Sequence, residues 1–195
     1  PEHLKFTVNS LERLGVSAIV IEDKRGLKKN SLLGNEVTQS QENIEVFANK
    51  IKLAKESQNT EDFMLIARIE SLILEKGMKD ALNRAKRYID YGADGILIHS
   101  KQNNPQEVFE FSKNYANFKT NKPLFCVPTN YSQVKEEELI SRGFKAVIYA
   151  NHLLRAAYPA MQNAINNILK NKRAFETEGK LMSIKEILDL IPGTK

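Results

Sequence analysis

The chain has 195 residues, of which 42% are hydrophobic and 27% are charged, proportions that suit a globular domain with one sizeable core. Its formal net charge of +5 comes from 29 Lys and Arg against 24 Asp and Glu. These cations form no basic block, which argues against nucleic-acid binding. No apolar run has transmembrane length and no signal peptide is recognisable, so we expect a cytoplasmic protein without membrane contact.

Five short apolar runs have the length of buried β-strands, and each ends in polar residues. These runs are Ala18–Ile21, Phe63–Ile69, Gly95–Ile98, Pro123–Val127 and Ala146–Ala150. The single cysteine, Cys126, lies inside the fourth run, where we expect a buried and inert thiol.

Amphipathic segments separate these runs, with apolar residues at helical spacing. Helix-start signals precede several of them: the capping-box pairs Thr38/Gln41 and Ser183/Glu186, and Asn104 as a cap before Pro105. Helices are also predicted over Phe6–Leu14, from Met78 to Gly92, from about Ser132 to Arg142, and from about Leu153.

Strict alternation of strands and helices predicts an α/β fold with a parallel sheet and right-handed crossovers. Two architectures compete: an open doubly wound sheet and part of an eight-stranded β/α barrel. A whole barrel typically takes about 250 residues, more than this chain supplies. No Gly-rich phosphate-binding fingerprint follows any strand, which counts against a dinucleotide-binding sheet.

Ionisable residues stand at the ends of three neighbouring strands: Glu22, then Arg68 with Glu70, then His99. In a parallel sheet these ends converge on one edge, where β/α enzymes place their chemistry. Glu22 taken alone reads more readily as a solvated strand terminus. Two ionisable groups at equivalent positions on adjacent strands favour a site.

Arg68 is flanked by buried positions, so its charge needs a partner. It forms either an ion pair with Glu70 or a neighbouring strand, or a clamp for a carboxylate or phosphate. A lone histidine such as His99 is most often a satisfied core residue.

A long polar connection follows the first strand and carries Lys28, Lys29 and Asn30. Connections of this length in β/α units are often lids, although a flexible basic loop would have the same composition. From the residues alone, the sequence indicates a small anionic molecule bound at the edge of a β/α protein, and no particular reaction.

Several motifs together resemble the phosphoenolpyruvate mutase family of the isocitrate lyase superfamily. Glu22-Asp23-Lys24 with Lys28, Asn30 and Ser31 is similar to the family's gating loop, E-D-K-x-x-x-K-x-N-S. The further matching segments are A-R-I-E (Ala67–Glu70), I-H-S-K (Ile98–Lys101), V-P-T (Val127–Thr129), the run from Val147 to Met161, and I-K-E-I-L with I-P-G near the end.

The resemblance covers essentially the whole chain and implies a (β/α)8 barrel of TIM type, of which residues 1–195 supply strands four to eight and the C-terminal helices. Residues 171–195 would form a helical extension. In the family the terminal helices pack onto a neighbouring subunit, which implies a homodimer or homotetramer with the terminal helix exchanged between subunits.

The family's reaction interconverts phosphoenolpyruvate and phosphonopyruvate on Mg²⁺, by moving a phosphoryl group between oxygen and carbon. By resemblance, Glu22 would hold Mg²⁺ through water, and Arg68 and His99 would grip the substrate. Lys28 and Asn30 would take part in catalysis, and Asn30 and Ser31 would contact the substrate from the lid. The lid would exclude water, which would otherwise hydrolyse the transferring phosphoryl group.

One departure from the family pattern matters. The family's direct Mg²⁺ ligand and proposed catalytic aspartate come from strands before the fourth, and no carboxylate here replaces them, so we expect this polypeptide alone to be inactive. The alternatives are a phosphonopyruvate hydrolase, whose lid resembles K-x-T-S with threonine where Asn30 stands, and a related lyase, whose lid carries a cysteine. A non-catalytic binding or assembly module is the alternative of another class.

Overall fold

The structure, a computed structural model, describes residues 2–27, 38–191 and 193. Helices and strands alternate through its first part. The strands are β1 (Ala18–Glu22), β2 (Met64–Ile69), β3 (Gly95–Ile98), β4 (Leu124–Cys126) and β5 (Phe144–Val147). The helices are α1 (Glu2–Arg13), α2 (Ile44–Glu56), α3 (Gly77–Asp90), α4 (Gln106–Tyr115), α5 (Glu136–Ser141), α6 (His152–Asn171), α7 (Phe175–Glu178) and α8 (Ile184–Asp189).

The five strands form one parallel sheet in the order β1-β2-β3-β4-β5. Each strand therefore pairs with the next one in the chain. A doubly wound sheet needs a point where the strand order reverses, and the described strands have none. The α/β prediction is confirmed, and the sequential order is that of neighbouring strands in a β/α barrel.

One face of the sheet carries the hydrophobic core. Right-handed crossovers between sequentially ordered strands place the connecting helices on the same side. Alternate residues of β2, namely Leu65, Ala67 and Ile69, are buried there in one cluster with residues of α2, α3 and α4. The rings of Phe47 and Tyr88 meet in this layer with centroids 4.9 Å apart.

The opposite face is only partly covered by the described residues. Val20 on β1 remains 45% exposed, whereas Ile66 on β2 is buried. Around Gly95 the packing is so close that an added Cβ would lie 2.7 Å from the Phe125 ring and 2.9 Å from Ile66 Cδ1. A partly covered second face that carries its own side-chain layer fits the interior of a barrel.

Several predicted element boundaries are wrong, among them the start of α5, which is Glu136 rather than about Ser132, and the end of β5, which is Val147 rather than Ala150. The cap of α2 is Asn43, whose Oδ1 accepts from the backbone N–H groups of Glu45 and Val46, and not Thr38 with Gln41. Strand β5 starts at Phe144 rather than Ala146, because the buried Phe144 pairs with Leu124. Helix α4 begins at Gln106 with Pro105 as its N-cap, so the predicted cap Asn104 lies one residue too early, although its Oδ1 accepts from the Gln106 N–H at 2.8 Å.

The chain divides into two compact units, one ending at Tyr149 and the other beginning at Ala150. The second unit contains α6, α7 and α8, and the Ser183/Glu186 capping box predicted at the start of α8 is present. Helix α6 buries none of its own residues. Within the described residues, no helix combines the length and the apolar character needed to cross a bilayer.

We expect Gly95→Ala to lower the free energy of unfolding by about 1–3 kcal/mol, because the new methyl group overpacks the layer formed by Ile66 and Phe125. Chemical denaturation followed by far-UV circular dichroism measures this, since the chain has no tryptophan. The control is Gly179→Ala, a position with open space and φ of −68°. Equal stability of the two variants would contradict the close packing at Gly95.

Candidate active site

Three strand ends bring ionisable side chains to one face of the sheet. In the strand register Glu22 of β1 lies opposite Arg68 of β2, and Arg68 lies opposite Leu97 of β3. Side chains alternate between the faces of a strand, so Glu22, Arg68 and His99 all point away from the helices. The predicted convergence of Glu22, Arg68 and His99 at the carboxyl edge therefore follows from the register.

Four charged side chains at this edge form an alternating series of charges, which we call the ion-pair chain: Glu22, Arg68, Glu70 and Lys24. Arg68 Nε donates to Glu70 Oε1 at 2.6 Å and lies 3.7 Å from Glu22 Oε2. Lys24 Nζ lies 3.1 Å from Glu70 Oε2 and 3.9 Å from Glu22 Oε1. The Glu70 side chain is fully buried. Each charge thus has an opposite charge beside it, as a desolvated ionic group requires.

His99 is buried at this edge, and its exposed fraction is 4%. Its Nδ1 atom has no hydrogen-bond partner among the described residues. Burial lowers the pKa of His99 to about 4, and the nearby cations Arg68 and Lys24 act in the same direction while Glu70 opposes them. The imidazole is therefore neutral at pH 7, with a ring nitrogen that no described group occupies.

Asp23 stands between Glu22 and Lys24 in the sequence. Its side chain points to the helix side of the sheet, where it is fully buried. Its Oδ2 atom accepts hydrogen bonds from Tyr88 Oη at 2.7 Å and Arg84 Nη1 at 3.1 Å, both on α3. It also accepts from Gln41 Nε2 at 3.0 Å, and its Oδ1 accepts from the backbone N–H of Glu70 at 2.9 Å. Burial raises the pKa of Asp23, and these donors oppose that shift.

The long connection after β1 has its two ends held together. Lys24 and Gln41 form an antiparallel bridge, and the Arg25 N–H donates to the Ser40 carbonyl at 2.8 Å. The Lys24 side chain also donates to Gln39 Oε1 at 2.8 Å. Lys28, Asn30 and Ser31, which the resemblance assigns to a lid, lie outside the described residues.

Glu22 fits a metal ion only in part. Within residues 2–27, 38–191 and 193, no group of three His, Cys, Asp or Glu side chains is arranged to hold an ion. Mg²⁺ requires six oxygen ligands in near-ideal octahedral geometry, several of them commonly water. Glu22 has two cations within 4 Å, and its contact with Mg²⁺ through water stays a prediction.

The structure decides between several alternatives that the sequence leaves open. Glu22 is not a solvated terminus, because its side chain is 15% exposed and lies beside Arg68. Arg68 does have the ion pair with Glu70, and whether it also clamps a ligand stays a prediction. His99 is buried without being fully satisfied.

Sequence reasoning missed the parts played by Asp23, Lys24 and Arg84. Two signals could have indicated them. Asp23 follows Ile19 and Ile21 at a spacing of two, which places it on the buried face of the strand. Arg84 stands three residues after Ala81 and four before Tyr88, on the apolar face of its helix.

Comparison with known proteins adds a family match. The sequence matches the family described as phosphoenolpyruvate phosphomutase over residues 1–169. It is 37% identical over 183 residues to the phosphoenolpyruvate phosphomutase of Tetrahymena pyriformis, a match that covers 94% of this chain and 60% of the relative.

Two solved structures are similar in fold and sequence. The first, a phosphoenolpyruvate phosphomutase from Streptomyces platensis subsp. rosaceus, has a TM-score of 0.87 and 36% identity over 95% of this chain and 63% of its own. The second is a phosphonopyruvate hydrolase in complex with oxalate and Mg²⁺, with a TM-score of 0.84 and 37% identity over 96% of this chain and 62% of its own. The chain thus spans about three fifths of the length of these relatives.

The low pKa of His99 predicts a pH dependence of folding. The unfolded chain takes up this proton near pH 6.5 and the folded chain only near pH 4, so the stability that the neutral imidazole provides is lost as pH falls through this window. The expected loss from His99 is about 2 kcal/mol between pH 7.5 and pH 5. Chemical denaturation of the purified protein at both pH values measures it.

His99→Asn removes the titrating group and should make the pH dependence shallower by that amount, whatever its effect at pH 7.5. The control is His3→Asn, the same substitution in the exposed first turn of α1. A wild-type slope in His99→Asn would show that the folded protein does not hold this imidazole neutral.

Proposed function

The chain belongs to the phosphoenolpyruvate phosphomutase family, and from that membership we propose that the protein containing it interconverts phosphoenolpyruvate and phosphonopyruvate. The observation that carries the proposal is the grouping of Glu22, Arg68 and His99 on one face at the carboxyl edge of the sheet. Both compounds are three-carbon acids with a carboxylate and a phosphorus-bearing group, so a cationic and hydrogen-bonding edge suits either one.

Arg68 and His99 supply complementary contacts to such a substrate. A guanidinium group matches carboxylate and phosphoryl oxygens in a planar fork, and Arg68 is held in place by Glu70 at 2.6 Å. The neutral imidazole of His99 can donate one hydrogen bond to a phosphoryl oxygen without adding charge. In phosphoryl transfer, positioning and charge stabilisation do most of the work, and these two side chains provide both.

The predicted lid residues complete the proposal. Lys28 would neutralise the transferring phosphoryl group, and Asn30 and Ser31 would hydrogen-bond to it while water is excluded. The described ends of this connection support the assignment, because the bridge between Lys24 and Gln41 keeps them beside the ion-pair chain.

Among the described residues, Glu22 is the one that we propose contacts Mg²⁺. We assign this carboxylate to a water-mediated contact with the ion, while other side chains bind the metal directly. Bound Mg²⁺ would polarise the substrate oxygens and neutralise charge on the enolate. The role of the described residues is to orient the acid and shield it from bulk water, in a protein that we expect in the cytoplasm.

A phosphonopyruvate hydrolase is the second candidate. Its support is specific, because the hydrolase structure is as similar in identity, 37%, as the mutase structure, 36%. The residue that separates the two readings is Asn30, since the hydrolase lid resembles one with threonine there. Asn30 favours the mutase.

The second unit supports a homo-oligomer as the working form. This unit exposes many apolar residues, among them Leu153 (87%), Leu154 (66%), Phe175 (76%), Ile184 (75%) and Leu190 (70%). A monomer rarely leaves so much apolar surface in water. We assign this surface to a second copy of the chain, in keeping with the helix exchange that the family resemblance implies.

Activity of the full-length protein tests the proposed reaction. With Mg²⁺ and phosphonopyruvate, the ³¹P signal of the phosphonate should be replaced by that of phosphoenolpyruvate. Arg68→Ala should lower kcat/KM by about 2–5 kcal/mol of transition-state binding, as expected when one partner of a desolvated charge interaction is removed. The control is Arg87→Ala, which removes a half-exposed guanidinium on α3 paired with Glu45.

Three outcomes are informative. Phosphate and pyruvate as the main products would favour the hydrolase. Normal turnover by Arg68→Ala would end the role proposed for that residue, and absence of any turnover by wild type would contradict the proposed reaction.

Light scattering of the full-length protein measures the subunit number. We expect the mass of a dimer or tetramer, and we expect Leu154→Asp to shift it towards the monomer, because a carboxylate cannot be buried unpaired in an apolar interface. The control is Lys113→Asp, a charge reversal on the exposed surface of α4. A monomeric wild type at micromolar concentration would contradict the assignment.

A further inference from the structure

Glu70 is held from both faces of the sheet by two consecutive residues. Asp23, on the helix side, accepts the backbone N–H of Glu70 at 2.9 Å. Lys24, on the opposite side, places its ammonium group 3.1 Å from Glu70 Oε2. Consecutive residues of an extended segment point to opposite faces, so this dipeptide can fix both the backbone and the carboxylate of its neighbour.

The other oxygen of the same carboxylate is directed at Arg68. Glu70 Oε1 accepts from Arg68 Nε at 2.6 Å, and the Glu70 side chain is fully buried. An arginine side chain has several rotatable bonds, so a guanidinium at a strand end takes one orientation only when a partner fixes it. A charge-assisted bond of this length in a buried site is such a partner.

Asp23, which accepts the backbone N–H of Glu70, is itself held by several hydrogen bonds. Asp23 is fixed by Tyr88 and Arg84 of α3, and Arg84 Nε in turn donates to Asp80 at 2.8 Å. The hydrogen bonds and ion pairs that connect Tyr88 and Arg84 to Arg68, through Asp23 and Glu70, all involve a fully buried carboxylate. In such a network, moving one polar group would break the hydrogen bonds of its neighbours, so the groups keep fixed positions relative to one another.

We propose that Glu70 is a positioning residue: it orients the Arg68 guanidinium for the substrate, and Asp23 and Lys24 hold Glu70 in place for that purpose. The inference rests on the substrate contact assigned to Arg68 under the proposed function. It adds a role for three residues that do not themselves touch the substrate, acting on the reaction only through Arg68.

A double-mutant cycle in the full-length protein tests this. Glu70→Gln keeps the size of the side chain and removes its charge, and it should lower kcat/KM by about 10- to 100-fold, the usual cost of losing a partner that orients a ligand-binding group. In an Arg68→Ala background the same change should alter kcat/KM by less than about 2-fold, because the group that Glu70 orients is already absent. If the loss of kcat/KM in the double variant instead equals the product of the losses in the two single variants, Glu70 acts independently of Arg68 and the proposal is overturned.

Lys24→Met tests the outer link and Lys55→Met is its matched control. Both variants remove a largely buried ammonium group paired with a carboxylate, since Lys55 Nζ lies 2.7 Å from Asp94 Oδ2. Asp94 directly precedes β3, at the edge of the sheet opposite to the ion-pair chain. Lys24→Met should lower kcat/KM at least 5-fold, and Lys55→Met should leave it unchanged even where it lowers stability. Equal activity of the two variants would remove Lys24 from the proposal.

Crystal structures of wild type and Glu70→Gln separate this inference from the proposed function. The guanidinium of Arg68 should move away from its wild-type position in the variant, a result that does not depend on turnover. An unmoved Arg68 overturns the positioning role even if the enzyme is an active mutase. A wild type without turnover contradicts the proposed function, while the two structures still decide whether Glu70 places Arg68.

Discussion

The arrangement of the carboxyl edge depends on one constraint: Arg68 carries a permanent charge at a position flanked by buried residues. Such a charge is tolerated only with partners. The chain supplies Glu70 at 2.6 Å and Glu22 at 3.7 Å, and those carboxylates in turn require Lys24. The result is a neutral set of two cations and two anions, with a neutral His99 beside it, and the remaining features of the edge serve to hold this set in place.

The fold supplies that support through the register of three parallel strands. Because β1, β2 and β3 are neighbours in sequence order, Glu22, Arg68 and His99 come together without any long-range crossing of the chain. Because consecutive side chains alternate between the two faces of the sheet, residues 22 to 24 make contacts on both faces. Glu22 and Lys24 face away from the helices, and Asp23 faces α3, where Tyr88 and Arg84 bind it.

Periodicity and strand-end chemistry predicted the strand count, the parallel sheet and the convergence of Glu22, Arg68 and His99, because these follow from local pattern and alternation. They did not predict that β5 begins at Phe144, since the tertiary partner Leu124 decides which of several apolar residues enters the ladder. Nor did they identify Asn43 as the cap of α2, because Gln41, which has capping-box spacing, is instead used by Asp23 and Ser71. The Asp23–Arg84 pair, 61 residues apart, is a long-range contact that no local window contains.

The most direct measurement of the central claim is a crystal structure of the full-length protein with Mg²⁺ and oxalate, the pair present in the similar hydrolase structure. We expect an oxalate carboxylate about 3 Å from the Arg68 guanidinium, as in charge-assisted hydrogen bonds, while Arg68 Nε stays on Glu70. Oxalate bound away from this edge, or bound there without contact to Arg68, would contradict the role of Arg68 in substrate binding.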